Sequence, residues 1–322
     1  MLPASLRSRL RLPLIAAPMF LVSGPALVTA ACRAGVIGSF PTANCRTVEE
    51  LEAWLAEIKA ATEGAAPFCP NLIVHRSNPR VADDLAAVLR AGAEMVITSV
   101  GSPEPVMKPL KDAGCLVLAD VASVRHAEKA VAAGVDGLVL LTAGAGGQTG
   151  WVNPFAFVRA VRTFWGGIVV MAGGMANGQA IAAAETLGCD LAYMGTKFIA
   201  TRESLAKDGY KQMLVRSRLD DVLLTRAFTG LETNMLRPSI AAAGLDPDAL
   251  PQRGAIDIAK DINAAERDRP DARRWKDIWS AGHSVSGVAD VPSVAELVKR
   301  TAAEYLAARA VSGPLARKRA DR

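Results

Sequence analysis

The sequence predicts a (β/α)8 barrel, and three observations lead to this fold class. Short runs rich in Val, Ile and Leu alternate eight times with Ala-rich segments of helical period. Many of the helical segments end in Gly directly before the next run. Hydrophobic residues make up 51% of the 322 residues and aromatic residues only 5%, which suits helices packed closely on a parallel sheet. Eight βα units in about 200 residues imply a closed barrel.

The runs predict strands in the first part of the chain and one helix after each strand. The predicted strands are 12–19, 36–40, 68–74, 95–101, 116–121, 137–142, 168–174 and 191–198. The helices are predicted to start near Pro25, Thr47, Asn78, Pro103, Ser123, Pro154, Asn177 and Pro292. The glycines expected to end helices in the left-handed conformation are Gly35, Gly92, Gly114, Gly134 and Gly188.

A doubly wound open sheet is the structural alternative, and its dinucleotide signature is G-x-G-x-x-G in the first βα turn. The first turn here, Pro18 to Gly24, has no such sequence. The nearest match, GAGGQTG at 144–150, follows the sixth strand and has Thr149 where the third Gly belongs. The motif pattern therefore favours the barrel.

We expect the barrel to comprise 12–201 and 285–311. Residues 202–284 break the repeat and predict a mostly helical insertion that covers the barrel top, with helical stretches at 203–217 and 239–244. Residues 313–322 predict a basic disordered tail.

The net charge of +5 does not indicate a nucleic-acid partner. Much of it lies at the two ends of the chain, and no basic stripe is interleaved with stacking aromatics. The five cysteines form no C-x-x-C pair, and the three histidines are too scattered for a metal site. We therefore expect free thiols in a reducing cytoplasm, no metal, and a small-molecule substrate. The sequence is compatible with a homo-oligomer.

The N-terminal stretch imitates a signal peptide, since three arginines precede an apolar run that ends in Cys32. Pro13, Pro18, Gly24 and Pro25 divide this run into a short strand and a helix, as barrel punctuation would. We expect it to be retained as the first βα unit, with no membrane partner.

Chemistry in such a barrel belongs to the loops that follow the C-terminal ends of the strands. Gly173-Gly174 after strand seven and Gly195-Thr196 after strand eight can present free backbone N–H groups to a phosphate. The loop 144–150 is too Gly-rich for a mere connection and carries an amide, Gln148. An amide can orient an oxygen but cannot usefully carry a proton at neutral pH.

Earlier strand ends complete the predicted site. Ala17, Pro18 and Met19 form an apolar segment suited to lie beneath a flat ring. Asn71 could bond the edge of that ring, and Asp120 ends strand five.

Five motifs in order, APM, PNL, GAGGQTG, AGGM and MGTKF, with WSAGH at 279–283, resemble the nitronate monooxygenase (2-nitropropane dioxygenase) family. The resemblance implies FMN as cofactor. Its phosphate would lie on Gly173, Gly174, Gly195 and Thr196, and its ring near Ala17, Pro18, Met19 and Asn71. The reactive side would face Gly146, Gly147 and Gln148. Enoyl-acyl-carrier reductases and NAD(P)H:quinone reductases share this scaffold, so the scaffold alone does not fix the reaction.

Two positions depart from the family pattern. Many relatives have His where this chain has Gln148, and some have Lys near the flavin where it has Asp120. His75 and Arg76, just beyond Asn71, offer a substitute: an imidazole to transfer protons and a guanidinium to hold an anionic substrate. A surface His–Arg pair is the equal alternative. His283 either reaches the phosphate side or is a loop residue.

The leading hypothesis is an FMN-dependent oxidoreductase that oxidises alkyl nitronates with O2. The alternative is an NAD(P)H-dependent reductase of an enone, a quinone or an acyl thioester. A flavin-free phosphate-binding isomerase or aldolase is the third, and Lys197 is its only candidate lysine.

Overall fold

The computed structural model describes residues 2–250 and 277–310, and eight parallel strands close into a barrel within them. The barrel strands, in neighbour order, are β1 (Leu14–Ala16), β2 (Ile37–Pro41), β3 (Phe68–Ile73), β4 (Met95–Ser99), β5 (Leu116–Val121), β6 (Gly137–Leu141), β8 (Ile168–Ala172) and β9 (Leu191–Met194). The predicted fold class is confirmed. The eighth predicted strand, 191–198, corresponds to β9. It was predicted too long, because the chain turns at Gly195 into a short helix.

Helices cover the outside of the barrel and continue into the segment beyond β9. They are α1 (Ala4–Arg7), α2 (Pro25–Arg33), α3 (Val48–Ala61), α4 (Val81–Ala91), α5 (Glu104–Asp112), α6 (Val124–Ala132), α7 (Pro154–Arg162), α8 (Gly178–Leu187), α9 (Thr196–Ile199), α10 (Asp208–Arg216), α11 (Arg237–Ala242) and α12 (Val294–Ala310). Side-chain caps explain several starts: the Thr47 and Ser123 hydroxyls accept from the backbone three residues on. Gly92 and Gly188 end α4 and α8 in the left-handed conformation.

Two apolar layers build the core. Alternate strand residues such as Val117 and Ala119 pack against the helices, whereas Leu118 belongs to the interior of the barrel. Leu6 of α1 joins the interior cluster. Because period two governs each strand, Asp120 follows Leu118 onto the inward face at the C-terminal end of β5.

A small antiparallel sheet was not predicted. It pairs β7 (Gly147–Gln148) with β11 (Thr233–Leu236), and β11 with β10 (Val222–Thr225). The predicted helical stretches 203–217 and 239–244 correspond to the shorter α10 and α11. Residues 251–276 of the predicted insertion and the predicted tail 313–322 lie outside the described residues.

All five cysteines are buried and unpaired. In the part of the chain that the structure describes, no helix has the length and apolar character needed to cross a membrane. The signal-like N-terminal run forms β1 and α2, with both Pro18 and Gly24 in the loop between them.

Candidate active site

A cavity of about 330 Å³ opens at the C-terminal ends of the barrel strands. Its lower part is lined by strand ends and by the loops that follow them, and its upper part by residues 205–207, 210, 229, 231, 278–281 and 284. This size lies within the range of small-molecule sites. The cavity is therefore at the end of the barrel where such enzymes carry out their chemistry.

The loop after β8 forms one corner of the cavity. Gly173 and Gly174 have φ values of +110° and +72°, which residues with a side chain rarely adopt. A Cβ at Gly173 would lie 2.5 Å from the Thr142 hydroxyl, whereas a Cβ at Gly174 would meet no atom within 4 Å. Among the described residues, no protein acceptor takes the backbone N–H of Gly174. Gly174 therefore turns an open backbone surface towards the cavity.

The loop after β9 lies at the same corner. Gly195 precedes α9, and a Cβ there would touch the Met19 sulfur at 3.6 Å and the Ala17 Cβ at 3.7 Å. Thr196 is buried, and its hydroxyl accepts a hydrogen bond from the Gly282 backbone N–H at 2.9 Å. The WSAGH segment at 279–283 is thereby hydrogen-bonded to the loop after β9.

Hydrogen bonds to a neighbouring hairpin hold the glycine-rich loop after β6. Gln148 pairs with Thr233 in the small sheet. The Asn234 side-chain amide donates to the Ala145 carbonyl at 2.7 Å, and the Thr149 N–H donates to a carbonyl of the same hairpin at 3.0 Å. Gly146, Gly147 and Gln148 consequently line one side of the cavity on a fixed backbone.

The segment Ala17-Pro18-Met19 also lines the cavity. Asn44 holds it, because its side-chain amide donates to the Met19 carbonyl at 3.1 Å and its oxygen accepts from the Leu21 N–H at 2.9 Å. An apolar surface with a fixed backbone is a suitable support for a flat ring.

Asn71 and Ser99 form a polar pair at the ends of β3 and β4. The Asn71 amide donates to the Ser99 hydroxyl at 3.1 Å, and both side chains line the cavity. Val100, the next residue, has φ +60°, which is a genuine outlier for a β-branched side chain. Strain of this kind is concentrated at functional sites.

Asp120 lines the cavity. Its Oδ1 is buried and makes no hydrogen bond to any described residue. Burial raises the pKa of the Asp120 carboxyl to about 7. The same cause, with a contribution from Asp120, raises the pKa of Tyr193 well above its ordinary value.

Four other polar candidates do not line the cavity. The His75 ring bonds the Ser77 hydroxyl of its own loop at 2.7 Å, and Arg76 is exposed beside it. His283 is exposed, and its ring packs beside Gly144. The Lys197 ammonium donates to the Gly287 carbonyl. Lys197 is therefore turned away from the place where a lysine-dependent aldolase would need it.

The upper wall contains residues that sequence reasoning missed. Tyr210 of α10 and Trp279 stack with ring centroids 5.0 Å apart at 10°, and the Tyr210 hydroxyl donates to the Ser280 carbonyl. Lys207 lies at the rim, where it pairs with Asp277 at 3.2 Å. Only WSAGH signalled this wall in the sequence. Within 2–250 and 277–310, no cluster of metal-ligating side chains occurs.

The fold and the cavity define a class: a (β/α)8 barrel with a cavity at the C-terminal ends of its strands. The model of the nitronate monooxygenase family matches residues 6–304, and the chain belongs to this family. The resemblance seen in the motifs is thereby confirmed. The chain is accordingly an oxidoreductase.

The relatives of this chain are named for different activities. A nitronate monooxygenase of Paraburkholderia phytofirmans is 30% identical over 79% of this chain and 82% of its own length. A (3aS,4S,5R,7aS)-5-hydroxy-7a-methyl-1-oxo-octahydro-1H-indene-4-carboxyl-CoA dehydrogenase of Mycobacterium tuberculosis is 28% identical over 71% of this chain and 64% of its own length.

Two solved structures share the whole fold. A nitroalkane oxidase from Streptomyces ansochromogenes has a TM-score of 0.77 and 26% identity, with 95% of this chain and 99% of that chain covered. FabK from Thermotoga maritima has a TM-score of 0.81 at 23% identity, with 95% and 96% covered, which shows the fold alone.

Proposed function

We propose that this chain is an FMN-dependent oxidoreductase that oxidises alkyl nitronates with O2. One observation carries the proposal: the Gly173-Gly174 and Gly195-Thr196 loops meet at the corner where barrels bind phosphate, beside a cavity with an apolar support. The family and the named nitronate monooxygenase relative support the choice of substrate.

The residues of the cavity fit the cofactor. Backbone N–H groups such as that of Gly174 can hold a phosphate without a charged side chain. Ala17, Pro18 and Met19 offer an apolar face, while Asn71 and Asp120 offer polar atoms at its edge. When bound, FMN would supply electron transfer between the donor and the acceptor.

Gln148 limits the chemistry that the chain itself can perform. Its amide can orient an oxygen of the substrate but cannot accept a proton at neutral pH. Among the described residues, the lining contains no histidine. We therefore propose a nitronate, which is already anionic, rather than a neutral nitroalkane from which a proton must be removed. The predicted proton carrier His75 and substrate anchor Arg76 stay proposals.

An NAD(P)H-dependent reductase of an enone, a quinone or an acyl thioester is the second candidate. Two observations favour it: the Gln148 amide could hold a carbonyl oxygen, and one relative is named as a carboxyl-CoA dehydrogenase. NAD(P)H would then be the reductant. Lys197 does not support the flavin-free alternative, since its ammonium is bonded outside the cavity.

Anaerobic mixing separates the two flavin candidates. The purified protein is mixed without oxygen with an alkyl nitronate, with NADH and with NADPH, and the visible flavin absorbance is followed. Bleaching by the nitronate alone is the expected result. Bleaching by NADH or NADPH and not by the nitronate would replace the first candidate with the second.

A further inference from the structure

The carboxyl group of Asp120, at the end of β5, has one buried oxygen without a hydrogen-bond partner among the described residues. Asp120 lies on the inward face of its strand, opposite Val139 of β6 in register, and lines the cavity. Its Oδ1 is buried and bonds no atom of the described residues. Buried polar atoms in proteins nearly always have a partner, so Asp120 has a hydrogen-bonding capacity that the described residues leave unused.

The surroundings of Asp120 favour its neutral form. The facing titratable groups are Tyr193 on β9 and Cys69 on β3, and burial keeps both of these neutral by raising their pKa values. Asn71 on β3 and Ser99 on β4 are uncharged, and β6 and β8 present Leu141 and Ala172. Among the described residues that line the cavity, the other charged one is Lys207, which is paired with Asp277 at the rim. An ionised carboxylate here would find no counter-ion among the described residues to offset its desolvation.

A neutral carboxylic acid is a hydrogen-bond donor, whereas a carboxylate only accepts. The neighbouring strand residues satisfy one another, since Asn71 and Ser99 bond each other and Asn71 also donates to the Ile97 carbonyl. The described residues therefore do not accept a proton of Asp120 in a hydrogen bond, and the cavity that its side chain lines has room for a ligand that does.

We propose that Asp120 is held as a neutral acid in the ligand-bound protein and donates a hydrogen bond to an acceptor atom of the bound flavin. This inference rests on the proposed function and adds a positioning residue to it. It also explains how a chain with Asp at this position can carry an electron-rich ring: the acid provides a donor without adding negative charge.

The direction of the pH effect follows from the raised pKa. Below about pH 7 the carboxyl is already protonated, and binding requires no proton. Above this pH a proton must be taken up for the ligand to bind, so the affinity for FMN falls as the pH rises, about tenfold per pH unit. The expected loss between pH 6 and pH 9 is on the order of 100-fold.

The test measures FMN release from the purified holoprotein. Full-length wild type and Asp120→Asn are diluted at pH 6, 7, 8 and 9, and the free flavin is read by its fluorescence. Wild type should lose affinity above pH 7, whereas Asp120→Asn, whose amide donates at every pH, should change about 100-fold less over this range. Asp83→Asn, which removes an exposed carboxylate of α4, should follow wild type.

The outcomes are distinct from those of the proposed function. Equal pH dependence in wild type and Asp120→Asn, or tighter binding by wild type at high pH, would overturn the role of Asp120. Absence of FMN from wild type at every pH would instead overturn the proposed function. If Asp120→Asn does not fold, Asp120→Ser removes the titrating group, keeps a donor, and carries the same expectation.

Discussion

The substitution Gly174→Ala should affect the stability of the protein and its affinity for FMN by different amounts. Alanine at this position must adopt φ +72°, which costs about 1–2 kcal/mol for a residue with a Cβ. No clash with the described residues adds to this cost, because none of their atoms lies within 4 Å of the new Cβ. It would, however, project beside the free N–H where the phosphate is proposed to bind. Loss of one hydrogen bond to a charged group costs about 1.5–3 kcal/mol, or roughly a 10- to 150-fold weaker affinity for FMN.

Gly114→Ala is the matched control for Gly174→Ala. Gly114 has φ +73°, its Cβ would also meet nothing within 4 Å, and it lies between α5 and β5 at the opposite end of the barrel. Both variants should lower the melting temperature by a similar few degrees. Only Gly174→Ala should weaken FMN binding, as measured by quenching of flavin fluorescence. Equal FMN affinities in the two variants would refute the proposal that the loop at Gly174 binds the phosphate.

Four further predictions test other parts of the structure. Gly178→Ala should lower the free energy of unfolding in urea by about 1–3 kcal/mol, because the new Cβ would lie 2.1 Å from a backbone nitrogen of α12. The control Gly166→Ala should leave this free energy unchanged, because no atom of the described residues lies within 4 Å of its Cβ. Asn234→Ala removes the bond to the Ala145 carbonyl and should speed hydrogen exchange at 145–149, whereas unchanged exchange would contradict the hairpin's role. In flavin-free protein, burial raises the pKa of Asp120 to about 7, from about 4 in the unfolded chain. The unfolding free energy of wild type should therefore fall relative to Asp120→Asn by about 1.4 kcal/mol per pH unit between about pH 4 and about pH 7, and level off at higher pH; parallel curves would contradict this expectation. Burial also raises the cysteine pKa values, so native protein should resist a thiol reagent that labels all five residues after unfolding, and rapid native labelling would be inconsistent with the core.

The barrel could be predicted because its signals are local. Period-two strands, helix caps such as Thr47 and Ser123, and left-handed glycines such as Gly92 each act within a few residues. Strand ends were less predictable, since apolar residues continue past Met194 into α9 and conceal the change of conformation. The βα repeat therefore fixed the architecture but not every boundary.

The site was predictable where it consists of strand-end loops. The glycines at 173–174 and 195 and the segment 17–19 meet at one cavity, because the C-terminal ends of barrel strands share a rim. The upper wall was not predictable, because the stacking of Tyr210 on Trp279 joins residues 69 positions apart. The fixed conformation of the Gln148 loop likewise depends on a hairpin that begins at Val222, far along the chain.

The orphan carboxyl is a different case. Asp120 was recognised in the sequence as a departure from the family pattern, but its protonation depends on what faces it inside the barrel. Only the three-dimensional arrangement shows that Tyr193 and Cys69 surround it and that no cation of the described residues pairs with it. An unusual residue type thus indicated the position, and burial supplied the chemistry.

The visible spectrum of the purified protein, with the released flavin identified and counted, tests the central claim most directly. The claim is that the glycine loops of β8 and β9 hold FMN over the apolar segment at Met19. We expect the two absorption bands of an oxidised flavin and one FMN per chain. A colourless protein that takes up no FMN when the cofactor is added would contradict the account.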